Sequence, residues 1–135
     1  MDLKLIDYLG GIIFKLLGLN AERKKEVAVY LESISQTIAK FGPRLREGAP
    51  FDELHGYAAE TQELARRFAS ATSDVLPESE RKELIEKLEG AFNAKDFLAQ
   101  GGGEQREHFL VFLGEAAGTF RAAASTLKAS ANKFG

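Results

Sequence analysis

Cysteine is absent from this 135-residue chain, which excludes disulfides, thiolate zinc sites, iron–sulfur clusters and thiol catalysis at once. That absence fits a reducing compartment. Proline occurs three times, too rarely to interrupt helices often. Neither charge dominates: 18 basic and 20 acidic residues leave a formal net charge of -2. A general nucleic-acid binder would be strongly basic. Arg66-Arg67 and the Arg44, Arg46 pair are too sparse for a phosphate-tracking stripe, so no nucleic-acid partner is expected. No apolar run reaches the roughly 18 residues of a membrane span, and strand-like alternation is missing.

What the chain does have is helical periodicity. With 44% hydrophobic and 28% charged residues, it carries enough apolar material for one core in one domain. Val27, Leu31, Ile34, Ile38, Phe41 and Leu45 recur in steps of four and three. This predicts a helix capped by Asn20 and weakened at Gly42-Pro43. A second helix is expected from Pro50, with Phe51, Leu54, Ala58, Thr61, Ala65, Phe68, Thr72 and Val75 on its inner stripe. A third opens at Pro77 and carries Leu84, Ile85, Leu88, Ala91 and Phe92. Asn93 and Asp96 are placed to cap a short turn through Leu98.

Gly101-Gly102-Gly103 breaks the pattern before a last helix from about Glu104 to Lys133. Its stripe is Phe109, Leu113, Ala116, Phe120, Ala123, Leu127 and Phe134. Gly114-x-x-x-Gly118 has the spacing of a close helix contact, expected inside the bundle. The expected fold is therefore all-α. Residues 20–135 form an antiparallel up-down four-helix bundle, preceded by an additional apolar helix over residues 1–19.

That first segment is the least ordinary part. Drawn as a helix, Lys4, Asp7, Gly11, Lys15 and Gly18 fall on one narrow stripe, and nearly everything else is apolar. A bundle surface helix normally shows a narrower apolar face, so this one needs more cover than a single neighbour gives. The cover could be its own bundle, another protein or a second copy, or a lipid surface. Asp2 and Asp7 stand where a signal peptide would be basic, which argues against a cleaved leader. Near it in the expected topology lies a candidate basic end of Arg23, Lys24, Lys25, Lys128 and Lys133. An anionic membrane would favour such an end, and the helix macrodipole accounts for Lys128 and Lys133 as well.

Catalytic templates are not found. Nucleophile-elbow, phosphate-loop and dinucleotide fingerprints are all missing. His55 with Asp52, and His108 with Glu104 and Glu107, supply half the inventory of a di-metal bundle. Solvated helix-end residues account for them better, so no metal, cofactor or catalytic residue is expected. The expected function is a non-enzymatic, cytoplasmic interaction module. It would bind a partner protein or itself by burying Leu5, Ile6, Leu9, Ile12, Ile13, Phe14 and Leu16. The alternative is a membrane-active bundle, peripheral at a membrane, whose first helix inserts into lipid. In layout the chain resembles HeLo- and MLKL-type cell-death domains, where a helical bundle follows a functionally important N-terminal segment. A small-ligand sensor with a pocket at the small Ala and Thr core positions is a third reading.

Overall fold

The computed structural model describes residues 3–91 and 103–134. These form five helices and no strands: α1 (Leu3–Leu16), α2 (Ala21–Arg46), α3 (Phe51–Ala71), α4 (Glu78–Ala91) and α5 (Gly103–Phe134). The proposed Asn93–Asp96 cap lies outside the described residues, as do Phe92, Gly101 and Gly102.

Helix boundaries follow local chemistry. Asn20 caps α2, its side-chain oxygen accepting from the Arg23 amide at 2.8 Å. Pro43 does not end α2, which runs on to Arg46. Proline forfeits one helical bond, and two features hold the last turn in its place. Leu45 is buried, and Arg44 forks onto Glu53 of α3 at 2.6 and 3.1 Å. The reversal after α2 uses Gly48 at φ +80°, a left-handed backbone suited to glycine. Pro50 stands just before the first turn of α3 and accepts from the Leu54 amide through its carbonyl.

The helices close a ring. α2 packs most extensively on α5 and also on α3, α3 packs on α4, and α1 packs on both α4 and α5. Residue pairs between α2 and α5 run in opposite order: Lys24 with Ser130 at 2.7 Å, Ser35 with the Ala117 carbonyl at 2.6 Å, and Leu45 with Arg106. Arg23, at the start of α2, reaches the carbonyl of Ala71, the last residue of α3, and Asp74 just beyond it.

All six residues of the α2 stripe are buried, and so are Leu84 and Leu88 of α4. Phe41, Phe68 and Phe120 fill the centre, with Phe109 meeting Phe41 edge-on at 5.7 Å. Two stripe positions on the α3 side differ from expectation. Phe51 is 44% exposed, because the stripe runs past the end of the core, and its ring stacks on His55. Val75 is half-buried in the turn after α3. Burial on α5 is wider than one stripe, adding Leu110, Phe112, Ala117, Ala124 and Ala131, as fits a helix with α2 on one side and α1 on the other.

Candidate functional site

α1 has two faces with different chemistry. Leu9, Ile12 and Leu16 are at most 2% exposed and belong to the common core, with Ile13 and Leu17 half-buried against it. Full burial of each such side chain stabilises by about 1.5–3 kcal/mol. The wide apolar arc thus has an internal cause, since α1 sits against two helices rather than one. Among the described side chains the opposite face consists of Asp7, Gly10, Gly11, Phe14 and Lys15, all exposed, and Gly18 is exposed in the turn that follows. Phe14 is 80% exposed, the most of any large hydrophobic among the described residues.

The two glycines beside Phe14 are not forced by packing. A Cβ at Gly10 or Gly11 would meet nothing within 4 Å among the described residues. Each costs helix stability of about 1 kcal/mol relative to alanine, without relieving any close approach among the described residues. The outer face of α1 is therefore a flat backbone step with one large ring standing next to it.

α1 is tied to α4 by a polar cluster at Glu80. The Tyr8 hydroxyl donates to the Glu80 carbonyl, and Lys15 pairs with Glu80 Oε1. Tyr8 and Lys15 are two helical turns apart, so both project from the flank facing α4. Lys87 lies over the Tyr8 ring at 5.7 Å, within cation–π reach. Burial, reinforced by the Glu83 and Glu80 charges, pushes the Tyr8 phenol up to about 12.

The seven candidate contact residues thus separate. Leu9, Ile12 and Leu16 are core, which corrects the expectation that they form an open contact surface; Ile13 is half-buried and Phe14 faces outward. The side chains of Leu5 and Ile6 lie outside the described set. What sequence reasoning missed is Glu80 as the anchor for α1, and Gly10 as part of the open face.

The candidate basic end is largely engaged with the chain's own groups. Arg23 forks onto Asp74 at 2.8 and 2.9 Å, and its hydrogen bonds hold the Asp74 carboxyl down at about 2. Lys24 is buried and donates to Ser130, Lys128 pairs with Glu32, and Lys25 is exposed. The Lys133 side chain lies outside the described set.

Gly114 and Gly118 do not make the expected internal contact. A Cβ at either would also meet nothing within 4 Å among the described residues. They lie on the outer side of α5, near the 54% exposed Val111. His55 and His108 are exposed on different helices. Among the described residues no group of three or more His, Asp or Glu could hold a metal ion, and no helix is long and apolar enough to cross a membrane. No protein-family model, curated protein or solved structure matches this chain.

Proposed function

We propose that this chain is a non-enzymatic interaction module built on an antiparallel up-down four-helix bundle (α2 to α5), with α1 as a fifth wall that presents the contact. The inner face of α1 anchors the helix and the outer face binds a protein. The observation that carries this reading is Phe14: a phenylalanine 80% exposed beside two glycines that have open space in front of them. Scattered exposed hydrophobics are ordinary, and Val29 and Val111 fit that description among polar and small neighbours. A ring beside a flat backbone step is instead a shape that another helix can cover, with the ring as anchor.

The membrane-active alternative asks for a basic rim beside the apolar helix. Here Arg23 is committed to Asp74 and Lys128 to Glu32, and among the described side chains the outer face of α1 carries one acid and one base. These placements favour a protein partner.

The test is site-specific photocross-linking in living cells, with a photoreactive phenylalanine analogue at position 14 and, as control, at position 29. Protein adducts at 14 that are missing at 29 are the expected result. Adducts only to phospholipid would replace this reading with the membrane one. No adduct at 14 beyond those at 29 would remove the contact altogether.

A further inference from the structure

We infer that the occupant of the outer α1 face is a second copy of this chain, docked antiparallel so that Phe14 of each copy rests on the Gly10–Gly11 step of the other. The inference builds on the reading of α1 as the contact element and adds the partner. Its first support is spacing. Asp7, Gly11 and Phe14 form the centre line of the exposed face of α1, in steps of four and three, and Gly18 follows in the turn after Leu16. Turning the helix end for end about its Ile12–Ile13 midpoint exchanges the Gly11 and Phe14 positions. An antiparallel copy therefore sets Gly11 opposite Phe14 twice, bulky on small, and brings Asp7 to the turn that follows the other copy's α1.

Charge supplies a second support. In the same register Asp7 of one copy lies within a helical turn of Lys15 of the other, twice by symmetry, as in an isologous two-fold contact. Lys15 keeps 43% of its side chain exposed while paired with Glu80, so its ammonium can be shared across the interface. A parallel pairing would place Phe14 on Phe14 and Asp7 on Asp7, with like charges opposed. The open space before Gly10 and Gly11 lets a second backbone approach closely. The glycine pair, which costs α1 helical stability and meets no close neighbour among the described residues, acquires a role at this contact.

The association is weak. α1 has 14 residues and spans roughly 20 Å. Two such helices bury an area at or below the low end of specific interfaces, the size class of weak and transient contacts.

Sedimentation equilibrium of the full chain, from low micromolar to near-millimolar concentration, tests the inference. The intact chain should pass from monomer to dimer, and Phe14→Ser should stay monomeric. Gly11→Leu is the sharper variant: a Cβ there meets nothing within 4 Å among the described residues, and leucine raises helix propensity, so thermal stability should rise. Its dimer should nevertheless weaken at least about tenfold, as for loss of a central anchor. A dimer that survives Gly11→Leu unchanged would overturn the proposed register. An intact chain monomeric at every concentration would overturn the second copy as occupant. In that case cross-links from position 14 to a different protein would leave the interaction-module reading standing, whereas no cross-links would remove both.

Discussion

The α2–α5 contact and the seat of α1 are both lined by leucine, isoleucine and phenylalanine, yet they are finished differently. Along α2 and α5 the buried seam is continuous, and its polar groups are matched across it. Ser35 donates to the Ala117 carbonyl, Lys24 to Ser130, and Lys128 pairs with Glu32. α1 buries one face just as completely, with Leu9, Ile12 and Leu16 at most 2% exposed. Its other face, among the described side chains, is left with a ring, two glycines and one charge of each sign. The contrast teaches that apolar content alone does not mark a contact surface. A helix wedged between two neighbours needs a wide apolar arc for internal reasons, and the informative residues are those outside the arc's buried centre.

The contrast can be broken most severely at the seam. Phe120 is fully buried, and Phe120→Ala should cost about 3–5 kcal/mol in denaturant unfolding. Leu16→Ala on α1 should cost about 2–5 kcal/mol. The loss should appear in the same single transition, because α1 is a wall of the common core. A separate early transition for α1 would show that the ring of helices is not one cooperative unit.

Gly10→Ala sharpens the comparison from the other side. With open space at Gly10, the methyl group should raise stability by about 1 kcal/mol through helix propensity, measured as an upward shift in Tm. The link between α2 and α3 at Arg23–Asp74 gives a pH test. The Asp74 carboxyl sits at about 2 against an ordinary 3.8. A depressed folded-state value contributes stability that is present above the ordinary value and lost as pH falls toward the folded one. Between about pH 4 and pH 2 the intact chain should therefore lose stability more steeply than Asp74→Asn, in urea titrations at each pH. The smallest effect is expected at Phe14. Phe14→Ser should leave unfolding almost unchanged, within about 0.5 kcal/mol, in contrast to Leu16→Ala two residues away.

Much of the fold was legible because α2 to α5 carry clear periods. The α2 stripe is buried in full, and so are Leu54 through Thr72 on α3 and Phe109 through Leu127 on α5. Those stripes succeed because each helix has a polar side that fixes its orientation. Periodicity also placed Asp7, Gly11 and Lys15 on the outward side of α1. It could not place Phe14, since in a segment apolar almost all round only the neighbouring helices decide which residues are covered. Glu80 was illegible for a related reason. It is one of many acids on an ordinary charged helix, and its partners Tyr8 and Lys15 lie more than sixty residues away in sequence. Lys24 looked like surface charge until Ser130 was brought beside it. Gly114 and Gly118 had the spacing of a close contact, but spacing does not say on which side of a helix its neighbours lie.

Native-state hydrogen exchange along α1, followed as a function of protein concentration, tests most directly the claim that α1 is core on one face and contact on the other. At low concentration its slowest amides should open only with the global transition, as befits a wall of the core. Raising the concentration should add protection around Gly10 to Phe14 as the second copy docks. Amides of α1 that exchange at the fast, concentration-independent rate of a frayed helix would contradict both halves of the claim.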